Sequence, residues 1–359
     1  FERVKAQAIR AGLPLTPEEI VPQPPIDPRD NAAPLLKPIL KRLEGKASGV
    51  SAIREKVDRG DFRGALKERP ELFEMLEEAR PALSRTRLDF KRDYERGAEV
   101  IYPEFASLKA IAHLTVARAR ISSEQGKVDE AMAYLRHGHQ IESLLRDEYT
   151  MIGHLVGIAI GRITNRGYRE IAAAWKGDKD RLSSLAKSYQ PPEQASLERT
   201  VKTETVVMFR TILNEFKLET SNAKPAERRL GQRAAIILLT EGNRDLETLR
   251  ESKNDILAAT REMQTRTDRL ESQIFINPDE RFLSILRPPY GQLGTGAVEL
   301  ATDKLITKAQ IQIMIFEAET GRWPESLEEA GVTEADPFSL QPFKYRADTN
   351  GFRLWSVGG

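Results

Sequence analysis

Residues 103–176 constrain this chain most. Phe105, Leu108, Ile111, Ala112, Thr115, Val116 and Ala119 recur at helical spacing and mark one buried helix face. Glu124-Gln125-Gly126-Lys127 interrupts the pattern, and Val128 to Leu145 resumes it as a second helix. A third, from about Tyr149 to Trp175, carries Gly153, Gly157 and Gly161 along one narrow face. Helices that each offer an apolar stripe must pack on one another to bury it. The glycine row is expected to let a neighbouring helix approach closely.

The flanking chain also reads as helix. Thr16 and Glu19 form a capping box with Pro17 at the first helical position. Val21 to Pro28 holds four prolines and reads as an extended linker. Asp30 or Asn31 is expected to cap a helix reaching about Glu44. Helices are predicted near 50–58, 61–67 and 70–79, the last stopped by Pro81. Leu83 to Gly97 reads as a basic helix. Its Arg85, Arg87, Lys91, Arg92 and Arg96 interleave with Asp89, Asp93 and Glu95, the pattern of a solvated face. Arg228, Arg229 and Arg233 read the same way.

Pro191-Pro192 separates a short helix, 180–188, from a longer one, 193–218. Residues 228–273 are predicted as one long helix, broken near Gly242. Leu246, Leu249, Ile256, Met263 and Leu270 stand near heptad spacing, but Lys253 and Thr267 fall in the seam. An exposed arm packed on one side is the expected result. Residues 275–294 read as irregular, and a helix is predicted from Thr295 or Gly296 to Thr320 with Ala297, Leu300, Ala309 and Ile313 in its buried stripe.

From Gly321 the chain reads GRWPESLEEAG, then DPFSLQPFKYR, then NGFRLWSVGG. An Asp336-Pro337-Phe338 turn should lead into strands at 343–346 and 352–357, closed by Asn350-Gly351. Trp323, Phe338, Phe343, Tyr345, Phe352 and Trp355 are expected to form a small aromatic core against the preceding helix. Five segments follow: 1–29, an N-terminal helix and Pro-rich linker; 30–100, helical; 101–220, the helical core; 221–294, a charged arm and irregular linker; 295–359, a helix plus β-hairpin.

The motifs for most chemistry are missing. Cysteine is absent, which rules out disulfides and thiolate metal sites. Net charge is +1, so no global field favours nucleic acid, and none is expected as a partner. No stretch approaches the apolar length of a membrane span, so a membrane is expected only through an anchor upstream of Phe1. The four histidines, His113, His137, His139 and His154, lack metal-ligand spacing and read as structural. No phosphate loop, dinucleotide fingerprint or nucleophile elbow is present, and no cofactor or metal is expected.

Three stretches resemble known families. The alanine-rich helix, the Gly126-Lys127 turn with Glu130-Ala131, and the second helix resemble one tetratricopeptide-like hairpin. The fold class expected is therefore mainly α, an irregular helical bundle with such a hairpin and a small C-terminal β-hairpin. Trp323-Pro324, Asp336-Pro337-Phe338, Pro342, Tyr345, Gly351-Phe352 and Ser356-x-Gly358 resemble the C-terminal unit of type II secretion pseudopilins. That likeness covers about residues 320–359. The family has a hydrophobic N-terminal helix directly before a small globular domain, whereas about three hundred helical residues intervene here, and nothing visible matches the family's calcium loop. GLPLTPEEI, the proline linker and DNAAPLL are similar to predicted membrane-anchored proteins of planctomycete-type bacteria with the same tail. The resemblance implies a non-enzymatic structural or interaction protein of the bacterial cell envelope, on its periplasmic face, within a secretion- or pilus-like assembly. Other proteins or self-assembly would be its partners. The alternatives are a cytoplasmic location, a helical binding protein for a small or lipid-like ligand beside the glycine-bearing helix, and a hydrolase with no linear motif.

Overall fold

The computed structural model describes residues 1–220, 224–252, 255–274, 289–349 and 351–358, with the side chains of 270–274 outside that set. The predicted irregular linker at 275–288, Lys253, Asn350 and the Leu270 side chain lie outside the described residues. The fold is mainly α with a two-stranded antiparallel hairpin at its C-terminal end. In chain order the helices are α1 (Glu2–Arg10), α2 (Ala33–Leu43), α3 (Ala47–Asp58), α4 (Phe62–Glu68), α5 (Pro70–Leu83), α6 (Glu104–Glu124) and α7 (Val128–Leu144). They continue as α8 (Met151–Ala174), α9 (Lys179–Ser188), α10 (Leu197–Glu215), α11 (Pro225–Glu251), α12 (Ile256–Ile274) and α13 (Tyr290–Thr320). Strands β1 (Lys344–Asp348) and β2 (Gly351–Trp355) close the chain.

Helices α6, α7 and α8 pack as the periodicity requires, with Leu108, Ile111, Leu114, Ile121, Leu135, Ile141 and Tyr168 buried. They join α2 to α5 and α9 in one core, and Ile311 and Met314 of α13 enter it as well. A second core gathers α1, α10, α11, α12 and the start of α13, and a third joins α13 to the hairpin. The 31 residues of α13 span about 46 Å at 1.5 Å per residue. It therefore enters three of the four buried clusters among the described residues.

Several local expectations are corrected. Residues 84–93 are not a basic helix. Asn31 pins this loop to the start of α2: its Oδ1 accepts from the N–H groups of Ala33 and Asp89, at 3.0 and 2.9 Å, and its Nδ2 donates to the Asp89 carbonyl at 3.1 Å. Asp147 accepts from Arg87 Nε and the Leu88 N–H at 3.0 and 2.8 Å. These partners lie far away in sequence, so local charge patterning cannot show them. Pro81 is carried inside α5 rather than ending it. The Thr16 box opens only a short 3-10 turn, Pro17–Glu19.

The long charged segment is two helices, parted after Ser252 and not at Gly242. Asp255 Oδ1 accepts from the Ala258 N–H at 2.9 Å and restarts the helix. Gly242 lies inside α11, where Leu13 and Thr205 crowd the place its Cβ would take, both at 3.1 Å. Helix α12 is packed on one side, as expected, with Ala258, Arg261, Glu262, Thr265 and Asp268 exposed. Ala259, Thr260, Met263 and Thr267 are buried against neighbouring helices. Helix α13 begins at Tyr290, earlier than predicted, where Gln264 Oε1 accepts from the Gly291 N–H at 3.1 Å. A Cβ at Gly294 would collide with Thr260, so this glycine sits in a helix for closeness rather than for freedom.

Candidate functional site

The terminal unit is built around one carboxylate. Asp336 is 1% exposed. Its Oδ1 accepts from the Phe338 N–H at 3.0 Å and Ser356 Oγ at 2.9 Å. Its Oδ2 accepts from the Val357 N–H at 3.0 Å, Ser356 Oγ at 3.0 Å and Ser339 Oγ at 3.4 Å. Burial alone would raise its pKa, but these donors outweigh it and hold the carboxyl below its ordinary value. A Cβ on Gly358 would strike the Phe338 ring. The Asp-Pro-Phe turn and the Ser-x-Gly end are thus two halves of one knot.

The aromatic residues then sort by strand alternation. Phe352 meets Trp323 at 5.0 Å and Tyr345 at 6.2 Å between ring centroids. Tyr345 OH donates to the Pro324 carbonyl at 3.0 Å, and Lys176 Nζ stands 4.8 Å over Trp323. Phe343 is buried with Ile313, Leu327 and Val332. Trp355 is the correction. It is 44% exposed and faces away from this core. The register pairs Lys344 with Trp355 and Arg346 with Arg353. Lys344, Arg346, Asp348, Arg353, Trp355 and Val357 are all exposed on this outer face, and no ion pair joins its three cations to the described residues.

The glycine row of α8 is close-packed at one place only. A Cβ at Gly161 would stand 2.7 Å from Leu300 Cδ1 and 2.9 Å from the Glu142 carboxyl. One at Gly157 would meet only Leu145 Cβ at 3.7 Å, and one at Gly153 would meet its own helix entry at Glu148 and Thr150. The helix contacts depend instead on Gly161, on Gly167, where Val116 of α6 and Leu135 of α7 press in, and on Gly138 of α7 against Thr164. Gly161→Ala is expected to cost about 1–3 kcal/mol through overpacking. Gly157→Ala should be neutral or stabilising by up to about 1 kcal/mol through helix propensity. Urea midpoints of the two variants check this; equal shifts would refute it.

Three acids have raised pKa values, and each is tied down. Burial lifts Glu142 to about 7, while Lys304 Nζ at 2.6 Å limits the rise. Burial lifts Glu148 to about 7, opposed by Arg92. Glu204 is raised by burial too, and its Oε1 accepts from the Met151 N–H at 2.6 Å, at the entry to α8. His139 is buried between Tyr168 and Tyr189 with Nε2 at 3.2 Å from Asn165 Oδ1, and burial lowers its pKa to about 4. His137 and His154 are also lowered to about 4 by burial. These groups sit within the packed helices, whereas His113, likewise lowered to about 4 by burial, lines a cleft beside α8. Among the described residues no cluster of metal-ligating side chains occurs, and no helix is long and apolar enough to cross a membrane.

No known protein family, curated protein or solved structure matches this chain.

Proposed function

We propose that this chain is a non-enzymatic interaction protein whose terminal hairpin docks an acidic segment of a partner protein. The observation that carries this reading is the outer hairpin face, where Arg346 stands directly across from Arg353 and Lys344 across from Trp355. Like charges facing one another across strands destabilise a hairpin. Carboxylates from a partner would relieve that repulsion, and Trp and Arg are both enriched at binding hot spots. Three cations on a body of net charge +1 are too few for phosphate-backbone binding. The cell-envelope setting and the assembly role belong to the same proposal, supported by the resemblance of the terminal unit to pseudopilins.

A photo-crosslinking residue in place of Arg346, introduced in the native host, tests it. The expected product is a peptide rich in Asp and Glu from an envelope protein, lost when Arg353→Glu is added. Crosslinks to lipid or nucleic acid, or a product unchanged by the charge reversal, would overturn the reading.

A further inference from the structure

Two cavities adjoin along the side of α8 turned away from its glycine row. The inner one, about 220 Å³, lies between α3, α6 and α8, and the outer one, about 910 Å³, lies between α8 and the start of α13. They share His113, Arg162 and Ile163, so together they form one cleft with two ends. Its outer volume falls within the range of small-molecule sites.

The two ends differ in chemistry. The inner end presents Arg54, Arg120, Arg162 and Arg166 against only Asp58 and Glu170. Arg120 occupies both carboxylates, at 2.5 and 3.2 Å, and Arg166 shares Glu170 at 2.7 Å. Arg162 pairs with Glu299 on the rim. Arg54 and the rim residue Lys109 have no ion pair among the described residues. The inner end is therefore left with unneutralised positive charge. The outer end has an apolar wall of Leu155, Ile158, Ala159 and Ile163 on α8, and Gln264, Gln292, Thr295 and Glu299 line the rest of this trough. His113 stands where the ends meet. Burial first, then the nearby Arg54, Lys109 and Arg166, lowers its pKa to about 4, so it is neutral and can donate or accept one hydrogen bond.

We infer that this cleft binds an amphiphilic anion: a carboxylate or phosphate head held at Arg54, Arg162 and His113, with a hydrocarbon chain along the trough. Arginine suits such a head because its planar fork matches carboxylate and phosphate oxygens. Neither end explains the other. A bare anion leaves the apolar wall wet, and a neutral hydrocarbon leaves the arginine surplus unanswered. This site is separate from the terminal hairpin, so its failure would leave the docking proposal standing.

Calorimetric titration of the whole protein with dodecanoate, dodecyl phosphate, dodecanol and inorganic phosphate tests the assignment. Both charged amphiphiles should bind one per chain, and the one bound more tightly names the head. Arg54→Gln should weaken both about tenfold, the loss expected for one charge-assisted contact. Gly296→Leu should abolish binding by filling the trough; its Cβ would meet only Ile158, at 3.5 Å or more, so the fold survives. Bound ligand should also raise the pKa of His113, read by its ring proton shifts, because an anion offsets the nearby cations. Equal affinity for dodecanol would remove the anionic head from the proposal, and equal affinity for inorganic phosphate would remove the chain. Absence of binding by all four would overturn it.

Discussion

Arg92→Ala should destabilise the protein by about 3–5 kcal/mol at pH 8 and by clearly less at pH 5. The reason is the setting of this side chain, which carries the loop that local charge patterning would make a solvated helix. Only 7% of it is exposed. Its guanidinium centre stands 4.8 Å from the Phe90 and Tyr102 ring centroids and 5.4 Å from that of Phe105. It donates to Glu104 at 2.9 Å and the Ile101 carbonyl at 3.2 Å, with Glu148 at 3.5 Å. Removing one member of a buried pair leaves the other charge uncompensated, which is the costly case.

Glu148 gives the effect its pH dependence. Its folded pKa, about 7, lies above its ordinary value of 4.5, so the folded state takes up this proton first on acidification. The raised carboxyl therefore costs stability as pH rises from 4.5 through 7. Without Arg92 the folded pKa climbs further, and the loss extends to higher pH. Arg92→Met with Glu148→Gln should recover much of the stability, since an apolar and neutral pair needs no compensation. Urea midpoints at pH 5 and pH 8 measure this. A cost independent of pH, and unrelieved by Glu148→Gln, would mean that lost packing alone accounts for it.

What the sequence made legible follows from how local each cause is. The boundaries of α6, α7 and α8 could be read because their periodicity and the Gly126 turn lie within the elements themselves. The 84–93 loop could not, because its partners Asn31 and Asp147 come from elsewhere. The packed side of α12 was legible at Met263, and threonines interrupt its apolar seam. Thr260 and Thr267 bury their hydroxyls by donating to the Ile256 and Met263 carbonyls one turn back, at 2.8 and 3.1 Å. Trp355 was legible and overlooked: alternation places it with Arg353 and Val357, opposite to Phe352 and Leu354. Of the glycine row, the spacing was visible but the neighbours were not, and only Leu300 and Glu142 single out Gly161. The cleft had no signal in the linear sequence, since Arg54, His113 and Arg162 meet only when α3, α6 and α8 pack.

The terminal knot supplies the other large effect. Asp336→Ala should cost the terminal unit about 2–4 kcal/mol, because it strands the buried N–H groups of Phe338 and Val357 and frees Ser356. Asp336→Asn should do no better. The two N–H donors sit on different carboxylate oxygens, so an amide turned either way points its NH₂ at one of them. An isolated two-stranded hairpin is marginal in water, so β1 and β2 depend on this knot and on the α13 face. The unit should then open locally: amide exchange should speed up along 336–358 and at Val332, while α6 to α8 keep their protection. The wild-type carboxyl also sets an acid limit. Its folded pKa is held below the ordinary value of 3.8, so its contribution is complete above that pH and is lost as pH falls through the lowered folded value. Deleting residues 341–359 should expose Ile313, which Phe343 covers, and lower solubility. If Asp336→Ala left exchange along 336–358 unchanged, the carboxylate would be a surface cap and not the hub of the unit. The outer face of the hairpin, with its facing arginines, would then need some other support.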